Sequence, residues 1–199
     1  MAILERRRRD DPRRGQTEAA FLDAAGALLS EGLAFADLSV SVVAARAGRT
    51  RTAFYAHFED RRELLMRLVE PMRAEAQAVI APFVEGDNDD DVRAAIAGLL
   101  ATLRRHEAVA RAVVEAAGYD TEVDRLWTSL VGEFATANQG RLVRAGVPEA
   151  QAAATASVLT WMTERSCTQQ LRQDPPALDD EAVINALSDA WRRALQPGA

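Results

Sequence analysis

Arg51 and Thr52 stand just past Gly48, and Tyr55, His57 and Arg61 follow close behind. These residue types at this spacing suit the reading of a duplex. An arginine guanidinium forks onto guanine O6 and N7, and a threonine methyl touches the thymine methyl. Tyr55 and His57 offer donors at phosphate height, which position a protein without reading sequence. A helix starting at Asp60-Arg61 presents free backbone N–H groups, a natural seat for phosphate. Two short helices joined through Ala47-Gly48-Arg49-Thr50 make a helix-turn-helix pattern, because glycine suits a turn with positive φ. A generic helical hairpin carries no such polar cluster beside its turn.

The other reactive residues assemble no catalytic set. The two histidines are His57, already placed in the nucleic-acid helix, and His106, expected at a helix start on the surface. There is no Gly-rich phosphate loop, CxxC or HExxH, and the carboxylates fall at helix-surface spacing. Cys167 is the one cysteine. With no second thiol to resolve a sulfenic acid, it reads as a buried structural thiol. The acidic run from Gly86 to Asp91 lacks the ligand alternation and closing glutamate of a calcium loop, so it reads as solvated. No metal, cofactor or enzymatic activity is expected.

Helices must position the cluster. Residues 1–15 have low apolar content and read as a flexible basic arm. Phe21, Ala25, Leu28 and Leu29 form one helical stripe, stopped near Gly32. Ser39, Thr50 and Asp60 are candidate N-caps for the next three helices. Pro71 and Pro82 predict a kink or break in the third. Further stripes run through Val92–Leu103, Val109–Val113 and Val123–Leu142, and two long helices are expected over 149–171 and 181–195. No segment alternates with period two. The expectation is an all-α fold of about nine helices, with a helix-turn-helix domain over 16–62 and a helical bundle over 63–199.

Composition agrees with helix. The chain has 199 residues, 48% hydrophobic and 27% charged, with no apolar run of membrane-span length. All 24 basic residues are arginine, a good helix former. Net charge is -6, with the basic excess confined to the first 62 residues and the acidic excess after them. That asymmetry expects only the N-terminal part to meet a polyanion. A cytoplasmic location is expected, without membrane contact.

The stretch from Phe21 to Leu65 resembles the DNA-binding domain of the TetR family of one-component transcriptional regulators. The residues that carry this are Phe21-Leu22-Asp23-Ala24-Ala25, Leu38-Ser39-Val40, Val43-Ala44-Ala45-Arg46-Ala47-Gly48, Thr50, Phe54-Tyr55-Ala56-His57-Phe58 and Arg61-Arg62-Glu63-Leu64-Leu65. The resemblance implies that Ser39, Thr50, Arg51, Thr52, Tyr55, His57 and Arg61 contact DNA, with Phe54 and Phe58 in the core. Arg13, Arg14 and Thr17, where arm meets helix, complete the candidate DNA set. Arg49 departs from the small apolar residue usual in this turn. Arg61 departs from the usual lysine, keeping charge but not shape.

The remainder resembles the EthR, or ethionamide-resistance repressor, branch of that family. The matching stretches are Arg105-His106-Glu107-Ala108-Val109, Val123-Asp124-Arg125-Leu126-Trp127, Trp161-Met162-Thr163-Glu164-Arg165 and Trp191. An aromatic stripe such as Trp127, Val131 and Phe134 reads on its own as core. The resemblance implies instead a tunnel for an elongated apolar ligand. Its expected lining is Ile96, Leu99, Leu103, Trp127, Val131, Phe134 and Trp191, with Asn138, Thr160 and Thr163 as polar groups. With no inward-facing Arg or Lys expected, a small, neutral, apolar effector follows. Glu164-Arg165 is expected to be an internal ion pair. The implied function is a repressor, homodimeric through the last two helices, released from a two-fold symmetric double-stranded DNA operator by the effector. An activator of the same fold, or an all-α ligand carrier or protein-interaction module that no longer binds specific DNA, is the alternative.

Overall fold

The computed structural model describes residues 12–88, 91–172, 176 and 178–196. Nine α-helices and one short 3-10 turn, Phe35–Asp37, occur among the described residues, and no strand does. In order they are α1 (Pro12–Ser30), α2 (Val40–Arg46), α3 (Arg51–Tyr55), α4 (Arg61–Glu85), α5 (Asp91–Arg105), α6 (Glu107–Ala117), α7 (Thr121–Arg144), α8 (Glu149–Gln169) and α9 (Asp180–Leu195). The chain divides into two compact units between Glu70 and Pro71, within α4.

The N-terminal unit is built on an aromatic core. Phe21, Phe35, Phe54 and Phe58 are buried, as are Leu38, Leu64 and Leu65. Phe21 meets Phe54 edge-on at 5.4 Å and Phe58 at 6.2 Å, geometries that suit the ring quadrupoles. Thus α3 is anchored through its own Phe54, whose ring meets Phe21 and Phe58, although it has barely more than one turn of its own. The sequence placed the arm through residue 15, whereas α1 begins at Pro12, a residue suited to a first helical position. The rest of the arm, including Arg6 to Arg9, lies outside the described residues.

Gly48 ends α2 with φ +62. Gly48 N–H donates to the Ala45 carbonyl and Arg49 N–H to the Ala44 carbonyl, satisfying two orphan acceptors of the helix end. Thr50 then caps α3 through a 3.1 Å bond from Ala53 N–H. Ser39 caps α2 through Val42 N–H at 3.3 Å. Asp60 Oδ1 accepts from Arg62 N–H at 2.7 Å and Glu63 N–H at 3.0 Å, starting α4. All three expected caps are therefore formed.

Of the kink or break expected at Pro71 and Pro82, the break does not occur. Both prolines lie inside α4, which runs unbroken to Glu85. Each removes one backbone donor, yet neighbouring turns and packing carry the helix through, with Val69, Met72, Ala76 and Phe83 buried along it.

The C-terminal unit packs α7 along α8, with α6 against α7 and α5 against α9. Its core includes Val92, Ile96, Leu100, Leu103, Val113, Val123, Trp127, Val131, Leu142 and Leu187. Gly98 allows α5 to approach α4 closely, since a Cβ there would stand 3.1 Å from Val79 Cβ. Arg104 clasps Asp180 at 2.7 Å, and Gln170 Nε2 donates to the same carboxylate at 2.9 Å, so α5, α8 and α9 meet at one acid. No helix among the described residues is long and apolar enough to cross a membrane.

Candidate functional site

The helix-turn-helix segment exposes most of its candidate contacts. Ser39, Thr50, Arg51 and Thr52 are exposed, and Tyr55 is 53% exposed with its ring edge-on to Phe54. Each capping hydroxyl accepts a backbone hydrogen bond and so keeps its own O–H for an outside acceptor. Arg51 and Tyr55 share one face of α3 by their i, i+4 spacing. Arg49 is exposed beside them at the end of the turn, pointing to solvent rather than spoiling the packing beneath.

Other candidates are placed differently. The His57 side chain is only 7% exposed, with Nδ1 3.9 Å from Glu18 Oε2, so its ring lies inside the unit against Phe21 and Phe58. Arg61 donates to the Phe35 and Ala36 carbonyls at 3.1 and 2.8 Å and stacks over the Phe35 ring at 4.9 Å. Its guanidinium clamps the 3-10 turn, a task that lysine would perform with fewer donors. Arg14 is exposed and donates to the Ala56 carbonyl at 3.1 Å, tying the start of α1 to the turn after α3. Thr17 is half-buried, and the Arg13 side chain lies outside the described residues.

In the C-terminal unit, Ile96, Leu103, Trp127, Val131, Asn138, Thr160, Thr163 and Trp191 are buried, while Leu99 and Phe134 are half-buried. Polar pairs run through this set. Asn138 Nδ2 donates to Thr160 Oγ1 at 2.9 Å, and Trp191 Nε1 to Thr163 Oγ1 at 2.9 Å. The Thr163 hydroxyl in turn donates to the Leu159 carbonyl at 2.8 Å. Phe83 meets Trp191 edge-on at 5.5 Å.

Three expectations about charge are corrected. Glu164 is not paired with Arg165 as an internal ion pair. Its carboxylate accepts from Trp127 Nε1 at 3.3 Å while Arg165 is exposed and attracts it only through space. Burial raises the Glu164 pKa, against the lowering effect of the indole, Arg165 and Thr168. An arginine does face inward: Arg141 is 2% exposed, with its guanidinium 5.8 Å from the Phe83 ring centroid. Its position three residues after Asn138, on the same helix face, was the signal in the sequence. His106 heads α6 as expected but is half-buried, its Nε2 2.9 Å from Glu75 Oε2. Glu75 also pairs with Arg105, and these two hydrogen bonds hold its pKa below the usual range. Cys167 is buried, and burial foremost pushes its thiol pKa to about 12, leaving it protonated and inert.

Residues 92–196 match the family described as transcriptional regulator EthR, C-terminal domain. The HTH-type transcriptional regulator EthR of Mycolicibacterium smegmatis is 29% identical over 197 residues, covering 95% of this chain and 90% of that protein. The regulator of the same description in Mycobacterium tuberculosis is 27% identical over 194 residues, covering 93% and 89%. Among solved structures, a TetR-like transcriptional regulator from Rhodococcus sp. RHA1 superposes with TM-score 0.66 at 17% identity, covering 91% of this chain and 96% of that one. NalD of Pseudomonas aeruginosa, described as the secondary repressor of the MexAB-OprM multidrug efflux pump, superposes with TM-score 0.67 at 18% identity, covering 94% and 100%. These relatives are described as transcriptional regulators, and the solved ones share this chain's fold. The chain belongs to the TetR family of transcriptional regulators, in its EthR branch.

Proposed function

We propose that this chain is a homodimeric repressor that binds a two-fold symmetric operator and is released by a small, largely apolar effector held in its C-terminal unit. The observation that carries the DNA half is the state of α3. Its arginine and threonine are exposed, and caps and a ring cluster fix its backbone. A helix so held presents Arg51 without first having to be ordered, so little entropy is lost on docking. Ser39, Thr50 and Tyr55 would position the helix on phosphates, with Arg14 and Thr17 at the start of α1 and Arg13 from the neighbouring arm. Arg61 would act through the helix start it occupies, and His57 from inside the unit, by supporting α3.

Ile96, Leu99, Leu103, Trp127, Val131, Phe134 and Trp191 would supply the apolar lining for the effector, with Asn138, Thr160 and Thr163 as its polar members. Binding would favour a conformer in which the two recognition helices of the dimer no longer fit successive major grooves, about 34–36 Å apart. The helix α4, which carries Pro71 at the division between units, is the proposed transmitter.

Selection of bound duplexes from a random pool tests this. The expected outcome is a palindromic consensus whose half-sites lie about one helical turn apart. Recovery of duplexes with no shared sequence would sink the operator reading in favour of an all-α carrier without specific DNA binding. An apolar compound that raises the melting temperature should also release the selected duplex, because it binds only one conformer of the folded chain.

A further inference from the structure

The polar atoms of the C-terminal unit restrict the effector further. Resting on the ligand-responsive reading above, we propose that the effector is an apolar molecule bearing an N–H or O–H donor, and that Asn138 Oδ1 receives it. Both inward indoles are already engaged, Trp127 Nε1 with Glu164 and Trp191 Nε1 with Thr163. Thr163 already accepts from Trp191 and donates its O–H to the Leu159 carbonyl. Asn138 Nδ2 donates one N–H to Thr160. Asn138 Oδ1 is different: it is buried and has no hydrogen-bond partner, in a side chain only 6% exposed.

A buried carbonyl without a donor is a standing destabilisation. A donor that arrives there removes that penalty and makes a bond, so its gain exceeds that of a bond formed at a satisfied group. Trp127, Val131 and Phe134 precede Asn138 on the same face of α7, which gives an apolar chain its path towards this acceptor. An acceptor-only molecule finds both indole N–H groups occupied and leaves Oδ1 as it was. One turn on, Arg141 adds a buried positive charge over Phe83. It makes a carboxylate the rival polar group, to be separated by experiment.

The experiment titrates tryptophan fluorescence of the full chain with three probes. N-octylacetamide carries an N–H donor, N-octyl-N-methylacetamide carries none, and octanoate carries a carboxylate. The extra methyl of the second probe favours burial, so a preference for the first cannot come from apolar area. N-octylacetamide should bind at least about tenfold more tightly than its methylated form, the ratio that one buried hydrogen bond supplies. Asn138→Leu should bring the two amides to about equal affinity, while Asn138→Asp, which keeps an acceptor, should retain the preference for the donor.

Equal binding of the two amides to the wild type would overturn the proposal without needing any variant to fold. So would a preference that survives in Asn138→Leu. Tightest binding by octanoate would assign recognition to Arg141 instead. Failure of all three probes to bind would overturn the ligand reading and this inference together, whereas duplex selection reports the DNA reading independently.

Discussion

At the scale of single residues, exposure divides the proposed base reader from its proposed supports. Arg51 and Tyr55 both lie on the open face of α3, but their chemistry differs. Arg51→Ala should weaken binding to the selected operator by roughly 1–3 kcal/mol and flatten preference at one base pair, because a bidentate guanine contact discriminates by that amount. Tyr55→Phe should weaken operator and scrambled duplex alike. Titrating both variants on both duplexes decides it, and equal losses for Arg51→Ala would remove Arg51 from base readout. Inside the C-terminal unit the informative residue is Glu164. Its folded pKa is raised above the ordinary 4.5, chiefly by burial. The folded chain therefore holds this proton more tightly than the unfolded chain does. Its contribution to stability is fully present below about 4.5 and declines as pH rises through the raised value. Glu164→Gln keeps an acceptor for Trp127 and removes the titration. The variant's melting temperature should fall less than the wild type's across that window, and parallel profiles would place the effect elsewhere. Residue chemistry was the least legible level in the sequence. Arg61 and His57 look alike with Arg51 along the chain, and only packing against Phe35 and Phe21 shows that the first two are engaged with their own unit.

Elements were legible where local rules act alone. Ser39, Thr50 and Asp60 cap helices in the structure as their types require, because a side-chain oxygen needs only the next turn of its own backbone. The prolines of α4 do not break it, for the opposite reason. The cost of a helical proline is local, about 3 kcal/mol, but burial of Val69, Met72 and Phe83 along the same helix is tertiary and outweighs it. The turn between α2 and α3 gives a prediction of its own kind. No atom lies within 4 Å of a Cβ built on Gly48, so Gly48→Ala creates no clash. What remains is the strain of φ +62 in a residue with a side chain, about 1 kcal/mol. Thr50→Ala loses the α3 cap, also about 1 kcal/mol. Both should lower the urea midpoint without changing the slope. Thr50→Ala should in addition weaken DNA binding, because α3 is too short to hold its first turn by its own hydrogen bonds. If Thr50→Ala loses stability yet binds duplex as the wild type does, the cap serves the fold alone.

At the scale of the whole molecule, the proposed repressor needs two recognition helices, and symmetry demands that one surface patch meet itself. The family resemblance implied α8 and α9 for this, and α8 is rich in small residues from Ala150 to Ser157. Small side chains serve two different purposes that spacing does not separate. Ala152 and Ala156 turn out to be buried within the protomer, letting α8 approach its own neighbours. Ala150, Ala153 and Ala154 are exposed, and Val158, one turn beyond Ala154, is 66% exposed. A large aliphatic residue left in water beside small ones is what a helix face awaiting a second helix looks like. An arginine at Ala156 would thus disrupt the protomer's own core and test nothing about assembly. Ala153→Arg and Val158→Arg put charge on the outer face and leave the interior intact. Each should keep its helical circular dichroism and urea midpoint at low concentration, yet sediment as a monomer at micromolar concentration where the wild type is a dimer. Each should then bind a single half-site about as well as the wild type and the full palindrome far less tightly, because the second helix no longer arrives with the first. A wild type that sediments as a monomer under these conditions contradicts the dimeric reading outright. Variants that remain dimers move the interface off this face of α8.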